Sequence, residues 1–272
     1  MAALARQRRQ EILARVRRDG AVRVAELVEA LDVSDMTIRR DISQLADRGL
    51  LVRVHGGATV ADAPRSSHEP AFTTKLGEQV EEKLAIARAA AELVPPGSSV
   101  ALSAGTTTLA LAQELRGVAD LTVVTNSIPV ANALHDPDRR DQVVILTGGT
   151  RTPSDALVGP VAVSSLQDLH VDQVFLGVHG FSERTGCTSP NMTEAAMNKA
   201  LIAAAACTVV VADHTKLRLV GLSMILPLDD IDVLVSDAGL AEDDQAMLRG
   251  HVGQLLVPAK EHHNVWTMED SR

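Results

Sequence analysis

The sequence predicts an α/β domain with a mostly parallel, Rossmann-like sheet, preceded by a small helical domain. Residues 1–60 are rich in Arg and have helical periodicity, whereas residues 72–257 alternate helical segments with short runs of Val and Leu. A segment rich in Pro, Ser and Ala, 61–71, separates the two. Strands that are apolar along nearly their whole length are typical of a parallel sheet covered on both faces. We therefore expect two domains, a linker at 61–71 and a flexible polar tail at 258–272.

The composition limits the classes of protein that this chain can belong to. It contains one Trp, three Phe and no Tyr, too few aromatic platforms for reading single-stranded nucleic acid by stacking. No apolar run is long enough to cross a membrane, and the N-terminus lacks the apolar core of a signal peptide. The two cysteines have neither zinc-site nor disulfide spacing. We therefore expect a cytoplasmic protein without membrane contact, bound metal or cofactor.

The net charge of −9 at pH 7 is unevenly distributed along the chain. Residues 1–60 carry eleven Arg, no Lys and eight Asp or Glu, a net charge of +3. The rest of the chain carries 15 Lys or Arg and 27 Asp or Glu, a net charge of −12. Because fields are screened beyond about 10 Å in physiological salt, a basic face can act despite a distant acidic domain. The acidic total therefore does not exclude binding of double-stranded DNA.

The second domain, 72–257, is expected to hold six strands joined by helices. The expected strands are 99–103, 121–125, 143–146, 171–177, 208–212 and 233–236. The expected helices include 75–93, 107–115, 128–134, 193–204 and 241–249. This alternation predicts that the loops after the strands meet at one edge of the sheet, where open parallel sheets bind their ligands.

The first domain is expected to contain three helices followed by a hairpin. Periodicity predicts helices at 3–19, 24–31 and 35–47, with a helix–turn–helix at about 22–41. Ser34 is a suitable N-cap for the third helix. Two short apolar runs, 50–54 and 58–60, flank the sequence His-Gly-Gly, a pattern that predicts a hairpin wing.

The third helix has two different faces. Ile38, Ile42 and Leu45 share one face, which we expect to pack in the domain core. The opposite face suits the major groove of DNA, with Met36, Arg40 and Ser43 meeting base edges, and Thr37 and Arg39 on the flanks meeting phosphates. The side chains expected at the DNA interface are Ser34, Met36, Thr37, Arg39, Arg40, Ser43 and, on the wing, Arg53 and His55. The alternative is a small helical bundle whose Arg face is only solvated.

A loop in the second domain has the composition of a phosphate site. Ser103, Gly105, Thr106 and Thr107 lie between an expected strand and an expected helix. Glycine lets the backbone approach an anion, and a helix N-terminus offers free N–H groups and a partial positive charge. The alternative is an ordinary helix capped by Thr.

Three further loops follow expected strands and are candidates for the same crevice. They contribute Thr125, Asn126 and Ser127, then Gly149, then His179. Simple turn chemistry is the alternative for each loop, and a core histidine is the alternative for His179. A fourth loop contributes Asp213 and Lys216, suited to sugar hydroxyls and to phosphate, or else forms a plain surface turn.

The motifs TIRRD at 37–41 and RVHGGA at 53–58 resemble the signature of the DeoR family of bacterial repressors. The similarity continues through EEKLAIARAAAELV, AGTTTLALA, VVTNS, LTGGT, LGVHG and ADHTK, over nearly the whole chain apart from the linker and the tail. The resemblance implies a winged helix–turn–helix domain joined to a sensor domain similar in fold to sugar-phosphate isomerases. Such proteins repress operons of sugar or polyol catabolism and are released by a phosphorylated intermediate.

The resemblance also implies binding residues for that effector. The family's glutamate corresponds to Glu194, but the lysine that commonly follows four residues later is replaced by Asn198. Lys199 is expected to point away from Glu194, because five residues turn a helix by about 140°. The family often has Asp where this chain has Ser103. The effector site is therefore expected to contain Ser103, Gly105, Thr106, Thr107, Thr125, Asn126, Ser127, Gly149, His179, Glu194, Asn198, Asp213 and Lys216.

The sequence thus favours an effector-responsive repressor that binds operator DNA as a homo-oligomer, either a dimer or a tetramer. Two alternatives remain open from sequence alone. One is a sugar-phosphate isomerase with an accessory helical domain, in which carboxylates and a lysine transfer protons. The other is a constitutive DNA-binding protein whose second domain is inert.

Overall fold

The computed structural model describes residues 2–19, 21–31, 33–47, 50–54, 57–60, 65–66 and 72–259. The chain forms two compact units, Met1–Pro64 and Arg65–Arg272. The division falls inside the segment 61–71, which the sequence predicts as a linker. Within that segment the structure describes Arg65–Ser66, a short strand that pairs with Val220–Gly221 of the second unit.

The first unit contains three helices and a small antiparallel sheet. Its elements are α1 (Ala2–Asp19), β1 (Ala21–Arg23), α2 (Val24–Leu31), α3 (Asp35–Asp47), β2 (Leu51–Val54) and β3 (Gly57–Val60). The sheet has the order β1-β3-β2, so β3 pairs with both neighbours. The three helices and the hairpin were predicted, whereas β1 was not. A helix–turn–helix with a hairpin wing is therefore confirmed.

The apolar face of α3 lies in the core of the first unit. Ile38, Ile42 and Leu45 are buried there, together with Ile12 of α1 and Leu27 of α2. Packing on this face leaves the other face of α3 directed to solvent, as the helical period requires.

The second unit is an α/β domain. Its strands are β4 (Arg65–Ser66), β5 (Ser99–Leu102), β6 (Thr122–Thr125), β7 (Val143–Leu146), β8 (Thr150–Arg151), β9 (Leu157–Val158), β10 (Val171–Gly177), β11 (Gly180–Ser182), β12 (Gly186–Ser189), β13 (Ala205–Val211), β14 (Val220–Gly221), β15 (Ser223–Leu226), β16 (Val233–Val235) and β17 (Gln254–Leu256). Its α-helices are α4 (Phe72–Leu76), α5 (Val80–Ala91), α6 (Thr106–Glu114), α7 (Ile128–Leu134), α8 (Pro160–Ser164), α9 (Met192–Ala203) and α10 (Glu242–Arg249).

Seven of these strands form one sheet, in the order β17-β16-β13-β10-β5-β6-β7. Every neighbouring pair in this sheet is parallel. From β5 the chain adds β6 and β7 on one side, then returns to add β10, β13, β16 and β17 on the other side. The loops after β5 and β10 therefore leave the sheet in opposite directions, which opens a crevice between them.

Two differences from the sequence-based expectation bear on the site. The helix expected at 75–93 is two helices, α4 and α5, because Gln79 adopts a left-handed backbone with φ +49°. A second, antiparallel sheet, β11-β12-β15, was not predicted, and it brings Ser189 at the end of β12 beside α9. Two apolar clusters, one on each face of the parallel sheet, bury residues such as Leu176 and Phe175.

Candidate functional site

A pocket lies at the carboxyl edge of the parallel sheet, where the loops after β5, β10 and β13 meet. This is the position that the reversal of strand order between β5 and β10 predicts. Nine of the thirteen predicted effector-binding residues line it: Gly105, Thr106, Thr107, Asn126, His179, Glu194, Asn198, Asp213 and Lys216. The β/α alternation thus brings most of the predicted loops together.

The N-terminus of α6 forms one wall of the pocket. Gly105 precedes the helix with φ +158°, and a Cβ at that position would lie 3.3 Å from Thr108 Oγ1 and 3.9 Å from Gly177 Cα. The loops after β5 and β10 thus lie in contact at these two glycines. Thr106 and Thr107, which begin the helix, line the pocket and are less than 10% exposed. Their backbone N–H groups belong to the first turn, where no intrahelical acceptor is available.

Three lysines add positive charge to the pocket: Lys75, Lys83 and Lys216. Lys83 is 5% exposed, and its Nζ donates hydrogen bonds to the carbonyl oxygens of Lys75 at 2.6 Å and of Glu78 at 2.5 Å. Burial lowers the pKa of the Lys83 ammonium, while the nearby carboxylate of Asp213 opposes that effect. A helix N-terminus with three neighbouring lysines is an arrangement suited to a phosphate group.

Glu194 lies in the pocket within a group of hydroxyls. Its Oε1 accepts hydrogen bonds from Thr152 Oγ1 at 3.0 Å and from Ser154 Oγ, and its Oε2 lies 3.4 Å from Ser189 Oγ. Asn191 caps the helix that carries Glu194, with its Oδ1 accepting from the Glu194 backbone N–H. These contacts fix the carboxylate in one orientation, in the first turn of α9.

Asp213 is fully buried at the end of β13 and is only partly satisfied. Its Oδ1 accepts hydrogen bonds from the N–H and the hydroxyl of Thr215. Its Oδ2 has no hydrogen-bond partner among the residues that the structure describes. A buried carboxylate oxygen without a partner is costly, so it provides an acceptor for a ligand hydroxyl.

Asn126 lines the pocket but also acts as a brace for it. Its Oδ1 accepts from the Ala104 N–H at 3.1 Å, and its Nδ2 donates to the Leu157 carbonyl at 3.0 Å. The side chain therefore holds the loop after β5 against the hairpin that ends in β9. One acceptor site and one donor of the Asn126 amide are therefore already used within the protein.

Four predicted effector residues do not line the pocket, and each has a role inside the protein. Ser103 Oγ accepts from the Gly177 N–H, Thr125 Oγ1 donates to the Leu102 carbonyl, and Ser127 Oγ accepts from the Val130 N–H as the N-cap of α7. Gly149 has φ +116°, and a Cβ there would lie 2.6 Å from the Val158 carbonyl oxygen.

The sequence did not predict some of the residues that line the pocket, namely Phe72, Lys75, Lys83, Ser154 and Ser189. A signal for Lys83 exists, since it shares a helix face with the buried Ile86, Ala87 and Ala90. A lysine on an apolar helix face is unusual unless it has a buried partner. Lys199 is exposed and does not line the pocket, as expected from its spacing to Glu194.

The solvent face of α3 is the candidate DNA interface. Met36 is 77% exposed and Arg40 is exposed, whereas Thr37 is half-buried. Ser34 caps the helix, with its Oγ 3.3 Å from the Thr37 N–H and 2.9 Å from Thr37 Oγ1. The arrangement therefore presents a large apolar side chain and a guanidinium to solvent on one helix face.

The two adjacent arginines of α3 differ in their surroundings. Arg39 pairs with Asp35 one turn earlier, with Nη2 to Oδ2 at 3.2 Å. Arg40 has no hydrogen bond or ion pair among the described residues and is available to a ligand. Ser43 is half-buried on the same helix.

An ion pair joins α3 to α1 beside their shared apolar core, with Arg8 Nε 2.6 Å from Oδ2 of the buried Asp41. The side chain of Arg53, in the hairpin, and all of His55 lie outside the described residues. No described helix is long and apolar enough to cross a membrane.

Each of the two units matches a protein-family model. Residues 8–63 match the DeoR-like helix-turn-helix domain, and residues 78–238 match the DeoR C-terminal sensor domain. The second match alone covers more than half of the chain.

The chain is similar to curated transcription regulators, and the similarity covers nearly their whole length. The helix-turn-helix transcriptional regulator YgbI of Escherichia coli K12 is 38% identical over 94% of this chain and 98% of its own length. A putative aga operon transcriptional repressor of Escherichia coli O157:H7 is 35% identical over 89% of this chain and 90% of its own length. The regulator GolR of Listeria innocua is 34% identical over 85% of this chain and 90% of its own length.

Among solved structures, ribose 5-phosphate isomerase A of Methanocaldococcus jannaschii is similar to half of the chain. The TM-score is 0.36 and the sequence identity 19%, over 50% of this chain and 53% of the isomerase. A likeness this distant does not identify an activity.

Proposed function

This chain belongs to the DeoR family of bacterial transcription regulators, and we propose from that premise that it represses a sugar or polyol catabolic operon until a phosphorylated sugar releases it. It is a DNA-binding regulator rather than an enzyme, as its family and its relatives indicate. The relative named as a repressor of the aga operon supports the assignment to carbohydrate metabolism.

The observation that carries the effector proposal is the composition of the pocket. The α6 N-terminus, Lys83 and Lys216 supply positive charge and donors, and Asp213 and Glu194 supply acceptors. The cations and the free N–H groups suit a phosphate, because together they bind an anion strongly. The acceptors suit the hydroxyl groups of a sugar or polyol. A phosphorylated polyhydroxy compound matches both sets of groups at once.

The DNA-binding part of the proposal rests on the exposed face of α3. In this arrangement Met36 and Arg40 meet base edges in the major groove, while Thr37 and Arg39 meet phosphates. Arg39 has to exchange its bond to Asp35 for a phosphate. We expect Ser34, Ser43, Arg53 and His55 to complete the interface. Because helix–turn–helix proteins read paired half-sites, we also expect the chain to act as a homo-oligomer.

The experiment is a binding and release assay with the full chain. An operator duplex is first selected from a random DNA library, and its affinity is measured by fluorescence anisotropy over a range of salt concentrations. A panel of phosphorylated sugars and polyols, with their unphosphorylated counterparts as controls, is then screened for stabilisation by thermal shift. Compounds that stabilise the protein are tested for release of the labelled operator.

The expected result is sequence-specific binding whose affinity falls by about 0.9 log units per log unit of salt for each phosphate contact. Some phosphorylated compounds are expected to release the operator, and their unphosphorylated counterparts are not. Lys216→Gln is expected to weaken the response to such a compound while the protein still binds the operator. Operator binding that no phosphorylated compound changes would contradict the effector assignment, and absence of any selected sequence would contradict the DNA assignment.

A further inference from the structure

Helix α4 is short, and hydrogen bonds hold both of its ends, at its start to Pro153, the neighbour of the pocket residue Ser154, and at its end to the pocket residue Lys83. The helix contributes Phe72 and Lys75 to the pocket wall. Phe72 is buried, while the rest of the helix is largely exposed. A five-residue helix has little stability of its own, because nucleation costs more than a few internal hydrogen bonds return. What holds α4 in place is therefore the burial of Phe72 together with the hydrogen bonds at either end.

The start of α4 is bonded to the loop whose side-chain hydroxyls contact Glu194. The Phe72 N–H donates to the Pro153 carbonyl oxygen at 3.3 Å. Pro153 lies between Thr152 and Ser154, whose hydroxyls both donate to Glu194 Oε1. The Glu194 carboxylate thus holds the residues on either side of the acceptor for the first N–H of α4.

The end of α4 is tied to Lys83 of the next helix. Lys83 Nζ donates to the carbonyl oxygens of Lys75, in the last turn of α4, and of Glu78, in the turn that follows. Carbonyls at a helix C-terminus lack intrahelical donors, so an ammonium there satisfies them and also complements the helix dipole. An ammonium group has three donors, and these two bonds leave one. Lys83 lines the pocket, so the remaining N–H is available to a bound anion.

We propose that Lys83 is a positioning residue that couples the pocket to α4, so that a bound anion holds α4 more firmly. The inference rests on the proposed function, since it assumes that the pocket takes an anionic group. An anion that accepts the third N–H of Lys83 keeps the buried ammonium charged. It thereby strengthens the bonds of that ammonium to the carbonyls of Lys75 and Glu78.

The place of α4 in the chain gives this coupling a consequence. It is the first helix of the second unit and follows β4, the strand at which that unit begins and which pairs with β14. The hold on α4 therefore acts on the chain soon after it enters the second unit. An effector can shift DNA affinity only through a difference between its bound and free states, and the hold on α4 supplies such a difference.

The test is hydrogen–deuterium exchange of the full chain, followed by mass spectrometry, with inorganic phosphate as the probe. Exchange is compared at the amides of 73–79, which cover α4 and its turn, and at 104–108, which cover the α6 N-terminus. The variants are Lys83→Gln, which removes the charge and one of the three donors, and Lys83→Arg, which keeps the charge and the donors. Lys199→Gln, an exposed lysine outside the pocket, is the matched control.

Phosphate is expected to slow exchange at both segments of the wild-type protein, at 73–79 by about tenfold. In Lys83→Gln we expect faster exchange at 73–79 without phosphate and no slowing there with it. Lys83→Arg is expected to restore part of the protection, and Lys199→Gln to behave like the wild type. The comparison of wild-type protein with and without phosphate stands even if Lys83→Gln does not fold.

Two results would overturn the inference, and they can be told apart. Slower exchange at 104–108 with no change at 73–79 means that the pocket takes phosphate but does not act on α4. That outcome leaves the proposed function intact. No change at either segment means that the pocket does not take phosphate, and then both the coupling and the proposed anion site are wrong.

Discussion

Substitution of Gly149 by Ala tests whether this residue has a structural role rather than a role in the pocket. Gly149 has φ +116°, a backbone conformation that costs an L-residue about 1–2 kcal/mol. An added Cβ would also lie 2.6 Å from the Val158 carbonyl oxygen and 2.9 Å from Ala162 Cβ. Overlap of this kind in a packed region costs about 1–3 kcal/mol. We expect Gly149→Ala to lower the free energy of unfolding of the second unit by about 2–5 kcal/mol.

Gly159, which follows the second strand of the same hairpin, provides a matched control. It has φ +93°, but a Cβ there would meet no heavy atom of the described residues within 4 Å. Gly159→Ala therefore carries the backbone cost without the overlap, about 1–3 kcal/mol. Urea unfolding followed by circular dichroism measures both variants, provided that the slope with denaturant is unchanged. Equal losses for the two variants would refute the steric argument, and reduced phosphate binding by folded Gly149→Ala would refute the structural assignment.

Three further outcomes follow from individual side chains. Arg40→Ala is expected to weaken operator binding by about 1–3 kcal/mol in anisotropy titrations. Arg39→Ala is expected to weaken it less, because Arg39 gives up its bond to Asp35 when it binds DNA. Equal losses of affinity in the two variants would contradict this difference between the two arginines. The Asp229 carboxylate raises the pKa of His251, so the charged histidine stabilises the fold below its unfolded pKa near 6.5. The wild-type protein should therefore melt at a higher temperature than His251→Gln at low pH, and this difference should disappear as the pH rises through the folded pKa. A difference in melting temperature that grows with pH would contradict the raised pKa of His251. Burial raises the pKa of the Cys187 thiol to about 12, so mass spectrometry should find no alkylation of Cys187 in the native protein at pH 8, and rapid labelling would contradict its burial.

The helices show how far local sequence determines the fold. The helix predicted at 128–134 coincides with Ile128–Leu134, because Ser127 caps it and Pro129 occupies its first turn. The helix predicted at 75–93 is instead interrupted, although the apolar spacing continues through the break. The interruption depends on a left-handed conformation at Gln79, a residue type that does not favour it. Such a conformation is imposed by tertiary contacts, which the pattern of apolar residues does not contain.

The pocket likewise has features that the sequence pattern predicts and features that depend on tertiary contacts. Its place at the carboxyl edge of the sheet follows from the order of strands and helices, which the sequence contains. The direction of each hydroxyl does not, since Thr125 donates to a neighbouring strand while Thr106 and Thr107 face the pocket. Serine and threonine bond to backbone or to ligand with similar ease, so residue type alone does not separate the two uses. Lys83 was missed because its partners are backbone carbonyls, which no side-chain motif reveals.

The walls of the pocket come from stretches of chain as far apart as Phe72 and Ile225. No fragment of the second unit that lacks one of these stretches contains the complete cavity. The cavity is therefore a property of the finished domain and is lost with any large-scale opening of that domain.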